Sequence, residues 1–395
     1  LAEEAFSQRP ALQGHIGRAV FNGLKSIGGE EIIVDYTQER RPIKANLLLT
    51  LGLAFRKKVA ETTSAKRVGI VLPPGIGATV ANLACILGDK IPVNLNFSLG
   101  QAALESCVRR AQIDTLITTE QVQKRCPNLP KTSITLDIKD ELKALAKEKF
   151  SLGITLGMLK IMPASLAASF FSIPKKGERE EAALIFTSGS SGEPKGVILS
   201  HRNLLGNVEQ ISDINLIDRS QTLLGNLPLF HSFGFLVTLW YPLIKGIRLV
   251  TVPSPLEVRK AVDAIHEDKV TALLGTPTFL KPYLKKAEPE KLESLQFVIA
   301  GAEKTPAGLA EQWHEKFGSQ YLEGYGLTET SPVSSVNLPD PPLTEGQVPK
   351  EHGSRTGAAG RLLPGMTIRF IDPDTGQENP YGETGIITLK GPNIF

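Results

Sequence analysis

The stretch FTSGSSGEPKGVILSHRNL, residues 186–204, follows the apolar run AALIF and decides how the chain is read. From Thr187 to Gly192, through Ser188, Gly189, Ser190 and Ser191, every residue is a glycine or carries a hydroxyl, and Lys195 follows closely. Glycines let backbone N–H groups turn toward an anion at close range. The hydroxyls add donors and Lys195 adds a point charge, a combination suited to a polyphosphate. Ser200 is placed to cap a helix starting near His201. The stretch therefore predicts a turn leaving a buried strand of an α/β sheet, where such folds hold ligands. A flexible Gly/Ser linker is disfavoured by the apolar runs on both sides and the Pro194-Lys195-Gly196 ending. Nor is it a Walker loop, which sets Ser or Thr directly after its lysine. Here Gly196 and Val197 follow Lys195, so magnesium needs a ligand from elsewhere.

Outward from this stretch, short apolar runs alternate with helical patterns. VGIVL (68–72), ATVANLACILG (78–88) and IPVNLN (91–96) read as strand, helix and strand. LLGNLP (223–228), FGFLVTLWYPLI (233–244) and GIRLVTV (246–252) repeat the plan. Further buried strands are predicted in TLITT (115–119), AALIFTS (182–188), VTALLGTP (270–277) and QFVIAGAE (296–303). This alternation predicts an α/β fold, with parallel sheets covered by helices on both faces. Residues 367–392 differ: they predict two antiparallel strands around an Asp/Pro/Gly/Asn-rich turn, part of a small barrel or side sheet. The segment 340–357 reads as loop.

Composition suits a large globular body: 395 residues, 41% hydrophobic and 22% charged. A net charge of +3 gives no case for nucleic acid. The three cysteines, Cys85, Cys107 and Cys126, are scattered and lack zinc spacing, which points to a reduced, cytoplasmic setting. No signal peptide is evident, and a first residue of Leu1 reads as a fragment or a processed chain. The most membrane-like stretch, SLGITLGMLKIMPASLAASFF (151–171), carries Lys160 and Pro163, which argues against a spanning helix. It reads as a buried segment, with a surface-seeking membrane segment as the alternative.

FTSGSSGEPKG resembles the phosphate loop of the adenylate-forming superfamily, which contains acyl-CoA synthetases, luciferases and peptide-synthetase adenylation domains. Other motifs follow in the family's order. AGAEKTP (300–306) is similar to its adenine-binding turn, with Gly301 and Ala302 leaving room for a flat base and Glu303 beside it. EGYGLTETSP (323–332) resembles its second nucleotide signature. The resemblance implies that Gly324 and Tyr325 lie by the adenine, Thr328 meets the α-phosphate and Glu329 binds Mg2+. PLFHSFGF (228–235) resembles the wall of the carboxylate pocket, which implies His231 at the acyl entrance and Phe233 and Phe235 along an acyl chain. Peptide-synthetase domains place an aspartate here to pair the substrate's ammonium. PLFHSFGF has no acid, and an unpaired buried ammonium is costly, so an amino-acid substrate is disfavoured.

The fold implied is the superfamily's large N-terminal domain: two helix-flanked, mostly parallel sheets plus a small antiparallel barrel-like part. The expected organisation is a linker or upstream tail over 1–22 and an AMP-binding body over 23–395, with subdomains near 23–180, 181–340 and 341–395. The family's ribose-binding aspartate, hinge and small C-terminal domain are not within these residues. Residues 1–395 alone are therefore expected to bind ATP but to adenylate poorly.

The implied reaction joins a fatty acid to AMP and passes the acyl group to a thiol of acyl-carrier protein or CoA. GAEK (301–304) and YGLTETSPVSSVN (325–337) look most like bacterial acyl-[acyl-carrier-protein] synthetases fused to a 2-acylglycerophosphoethanolamine acyltransferase. That resemblance implies a role in phospholipid acylation, with residues 6–24 as the tail of an upstream domain and the protein peripheral at the inner face of the membrane. A general long- or medium-chain acyl-CoA synthetase, an assembly-line adenylation domain and a non-catalytic nucleotide- or acyl-binding module are the alternatives.

Overall fold

The computed structural model describes residues 2–188, 193–340, 352–380 and 382–395. Gly189, Ser190, Ser191 and Gly192 lie outside the described residues.

A nine-stranded sheet runs in the order Arg361–Leu362, Val333–Val336, Gln320–Gly326, Phe297–Ala300, Ala272–Gly275, Thr222–Gly225, Arg248–Thr251, Glu31–Asp35, Arg41–Lys44. From Gln320–Gly326 to Glu31–Asp35 all neighbours are parallel, and both edges are antiparallel. The central strands are short and apolar throughout because helices cover both faces. Successive residues point to opposite sides. Leu223, Leu249, Leu274 and Ile299 enter one core with the helix His201–Asp213, while Leu224, Val250, Leu273 and Val298 enter another with the helix Val258–Asp268. A second sheet of four parallel strands has the order Ile91–Asn94, Arg67–Ile70, Thr115–Thr118, Ile134–Asp137. The α/β class and the mostly parallel, helix-flanked sheets match the sequence expectation. Both predicted strand–helix–strand units form, one in each sheet.

Four features differ from the reading of the sequence. First, Glu181–Thr187 is not in a parallel sheet: it pairs antiparallel with Lys195–Ser200, so the glycine-rich stretch joins the arms of a hairpin. The period-two signal was present in GVILS, where Val197 and Leu199 are buried and Ile198 is half-exposed. Ser200 does cap the next helix, accepting from Asn203 N at 3.2 Å.

Second, residue 22 is no boundary. It lies inside the helix Ile16–Ile27, whose Val20, Phe21 and Leu24 are fully buried in the main core, and Phe6 and Leu12 are buried as well. Glu31–Asp35 and Arg41–Lys44 also join a sheet otherwise built from residues 222–362, so the expected subdomains interleave. Third, 151–171 is not a buried segment: it divides at Pro163 into the helices Lys149–Ile161 and Ala164–Phe170, in which only Leu159, Ala167 and Ala168 are buried. No helix among the described residues is long and apolar enough to cross a membrane. Fourth, the two antiparallel strands expected over 367–392 form, as Thr367–Ile371 and Ile386–Lys390, but in a two-stranded side sheet and not a barrel.

Two buried histidines tie the start of the chain to the hairpin's helix. His15 Nδ1 accepts from Gly17 N at 3.0 Å, His201 Nδ1 accepts from Ile16 N at 3.2 Å, and the rings lie 3.8 Å apart. Burial pushes His15 down to about 4 and His201 down to about 3. Below pH 6.5 the unfolded chain protonates these rings before the folded one does, so stability falls as the pH falls from 6.5 toward those values. Urea unfolding between about pH 7 and about pH 5 should show a shallower pH slope for His201→Asn than for the parent, together with lower stability at neutral pH.

Candidate functional site

The C-terminal ends of Thr222–Gly225, Ala272–Gly275, Phe297–Ala300 and Gln320–Gly326, four adjacent strands, open onto one edge of the sheet. A parallel sheet gathers the loops that follow its strands there. The segments that follow them are 226–231 with the helix Ser232–Phe235, Thr276 with the helix Pro277–Leu280, the loop 301–305 and the turn after Gly326.

That turn is tightly specified. Gly326 N-terminal to it meets the Pro332 carbonyl so closely that a Cβ would sit 1.9 Å from the oxygen, which only glycine avoids. Leu327 N donates to Pro332 O at 3.1 Å, and the Thr330 hydroxyl donates to Pro332 O at 2.5 Å. Thr328–Thr330 forms a single 3₁₀ turn, so Thr328 and Glu329 stand at its outer corner.

Carboxamides hold the turn from behind. Asn207 Nδ2 donates to Val333 O at 2.8 Å, and its Oδ1 accepts from Val333 N at 3.0 Å. Asn393 Nδ2 donates to Thr330 O at 2.7 Å, while its Oδ1 accepts from Gln210 Nε2 at 3.1 Å. Asn203 Nδ2 reaches Ile394 O at 2.7 Å, and Phe395 N donates to Glu329 O at 3.1 Å. Asn207, Gln210 and Asn393 are fully buried. None was singled out from the sequence. The available signal was Asn203, Asn207 and Gln210 on one face of a helix whose other inward residues, His201 apart, are apolar.

Several sequence-predicted residues come together around the turn. Ser232 Oγ and Thr328 Oγ1 share a hydrogen bond of 3.3 Å, which links the 228–235 segment to the turn. Gly301 faces both Gly324 and Phe233: a Cβ built on it would lie 3.5 Å from Gly324 O and 3.6 Å from the Phe233 ring. Tyr325 is exposed beside them, and Ala302 takes a left-handed backbone with φ of 67°. The strand Lys195–Ser200 lies against Thr328–Thr330. Thr187 and Lys195 face each other across the base of the hairpin, with Ser188 and Lys195 exposed. His231 reaches solvent at the rim, next to Phe230, yet desolvation by its surroundings lowers its pKa.

Two residues turn elsewhere. Phe235 is buried edge-on against Trp240, with centroids 5.7 Å apart, and belongs to the core; two positions along a helix from Phe233, it points to the opposite side. Glu303 accepts from the Thr278 hydroxyl at 2.6 Å and so joins the helix Pro277–Leu280 to the 301–305 loop. Glu329, by contrast, has no ion pair or side-chain hydrogen bond among the described residues. With one carboxylate and neighbouring hydroxyls, the corner suits a hard cation that takes its other oxygens from a phosphate ligand.

Residues 53–395 match the AMP-binding enzyme family. A long-chain-fatty-acid–CoA ligase of Bacillus subtilis is 25% identical over 353 residues, 83% of this chain and 60% of that protein. A probable 4-coumarate–CoA ligase of Dictyostelium discoideum is 32% identical over 228 residues, 56% of this chain and 38% of that protein. The chain thus spans between two and three fifths of the length of these curated relatives. Among solved structures, the inhibitor-bound N-terminal domain of FACL13 from Mycobacterium tuberculosis superposes with a TM-score of 0.75 at 18% identity, covering 96% of this chain and 90% of that one.

Asn207→Ala would leave the Val333 N–H without its side-chain partner and the Val333 carbonyl with only Asn393 Nδ2, at 3.2 Å. Urea unfolding should show a loss of about 2 kcal/mol, with Asn207→Asp intermediate because it keeps the acceptor and loses the donor.

Proposed function

Since the chain belongs to the AMP-binding enzyme family, we propose that it activates a fatty acid with ATP as an acyl-adenylate and hands the acyl group to a thiol. The family's enzymes use ATP with Mg2+. One observation carries the reading: the Thr328–Glu329 corner, the base of the glycine-rich hairpin and the 228–235 segment meet at the C-terminal edge of one parallel sheet.

In this reading a carboxylate oxygen attacks the α-phosphorus, the bond from that phosphorus to the bridging oxygen breaks, and pyrophosphate departs with the electron pair. The acyl group now carries a good leaving group. A thiolate then attacks the acyl carbon and AMP leaves. The protein's share is positioning and the stabilisation of phosphate charge. Thr187, Ser188 and Lys195, with Gly189, Ser190, Ser191 and Gly192, hold the β- and γ-phosphates. Thr328 would donate at the α-phosphate, and Glu329 would hold Mg2+, which would offset the charge building on the phosphates. Gly301, Ala302, Gly324 and Tyr325 receive the adenine. His231 and Phe233 line the entrance for the acyl chain.

The absence of an acid from PLFHSFGF favours an apolar acid over an amino acid. The acceptor proposed is the thiol of acyl-carrier protein or of CoA, and the relatives named as CoA ligases support the second. Delivery to phospholipid, at the membrane's inner face, is the finer part of the proposal; it rests on the resemblance of 301–304 and 325–337 and on the apolar surface of 150–170.

ATP–pyrophosphate exchange by the full-length protein across fatty acids and amino acids tests the reading. Glu329→Gln should lower the rate on the order of 100-fold, and Lys195→Ala should weaken ATP binding. Exchange driven by amino acids and not by fatty acids, or an unchanged rate in Glu329→Gln, would overturn it.

A further inference from the structure

The helix Lys149–Ile161 is apolar on two opposite sides. Inward, Leu159 is fully buried in the main core, where the helix lies against Ala45–Thr62. Outward, Phe150, Ile154 and Ile161 recur at helical spacing and stand in solvent, with Phe150 83% and Ile161 84% exposed. The next helix, Ala164–Phe170, exposes Leu166 and Phe170, one turn apart, while Ala167 and Ala168 face the core. Large apolar side chains left this open in a short segment mark an interaction surface.

The charges around them identify the partner. Between Glu148 and Glu178 there is no Asp or Glu, whereas Lys149, Lys160, Lys175 and Lys176 are all exposed. None of these lysines makes an ion pair among the described residues. Lys149 and Lys160 lie about three turns apart on one flank of the helix, beside the outward apolar stripe. Two copies of this face would set lysine against lysine. An anionic surface with an apolar interior satisfies both features at once: the rings and branched chains enter the acyl region while the ammonium groups stay among the headgroups.

We propose that Lys149–Phe170 is a docking surface for anionic lipid, laid flat on the membrane by Phe150, Ile154, Ile161, Leu166 and Phe170 and held by its lysines. The inference rests on the peripheral location proposed above and supplies its contact site; it is independent of how ATP is held. It also places the surface where an apolar substrate dissolved in the same membrane is at hand.

Co-sedimentation of the full-length protein with vesicles tests it. Vesicles of phosphatidylcholine and phosphatidylglycerol in equal parts should bind the protein at least about tenfold more tightly than pure phosphatidylcholine, and added salt should weaken that binding. Phe150→Ser with Ile161→Ser should abolish most of it. Lys149→Glu with Lys160→Glu should remove the preference for phosphatidylglycerol. All four positions are exposed, so folding should persist, and ATP–pyrophosphate exchange without vesicles should stay at the parental rate. Failure of exchange in the parent with normal vesicle binding would overturn the adenylation reading and leave this inference standing. Equal binding to both vesicle types, no binding, binding unchanged in the variants, or variants that alter only the oligomeric state would overturn the inference itself.

Discussion

Val333 has both of its backbone groups taken by one side chain, the carboxamide of Asn207, and the geometry of the candidate site follows from that pairing. A carboxamide offers a donor and an acceptor side by side, as a neighbouring strand would. It can therefore continue a sheet's pairing at the point where the chain turns away. Asn207 sits one turn along from Asn203 on the helix that leaves the hairpin, so the helix and the 324–333 turn form one piece. Gln210 and Asn393 extend the same network to the residues before Phe395. Buried polar groups in such a network are favourable only when all find partners, which makes the arrangement intolerant of small shifts.

The large sheet imposes a second constraint, because the chain returns to it from distant points. Glu31–Asp35 and Arg41–Lys44 close the edge of a sheet whose other strands come after residue 221. A buried carboxylate marks that seam. Asp268 accepts from Arg40 at 2.8 Å, from Arg248 at 2.6 Å and from the Tyr36 hydroxyl at 2.6 Å. Burial pushes its pKa up, and the hydrogen bonds from Arg40, Tyr36 and Arg248 outweigh that and hold it below the ordinary value. A buried ion cluster of this kind contributes little net stability, since desolvation offsets the attraction. Its effect is selective: a shift of Glu31–Asp35 to another register would take away the bonds from Tyr36 and Arg40 and leave the buried Asp268 with Arg248 alone.

Strands and helices built on apolar periodicity were legible in the sequence. Ala272–Gly275 and Phe297–Ala300 declare themselves as buried runs because both faces are covered. Less legible were elements whose partner lies far away. Glu31–Asp35 pairs with Arg248–Thr251, and nothing local in EIIVD announces it. The hairpin was misread because an apolar strand before a glycine-rich turn looks the same whether the chain leads on to a helix or folds back. At the site, Thr328 and Gly301 carry recognisable neighbours in the sequence. Asn393 does not, since its significance comes from what stands opposite it in space.

The bond between Ser232 and Thr328 joins the wall proposed for the acyl chain to the corner proposed for the α-phosphate. Ser232 is fixed by its own helix: Gly234, two residues on, approaches the Pro228 carbonyl so closely that a Cβ would fall 2.3 Å from it, so the segment cannot slide along its support. A side chain at 231 or 233 that displaces this helix therefore displaces the partner of the Thr328 hydroxyl. Recognition of the acid and stabilisation of charge at phosphorus are, in that reading, mechanically linked. An acid that fills the pocket poorly would lose rate as well as affinity, because the group meeting the phosphate would no longer be held in line.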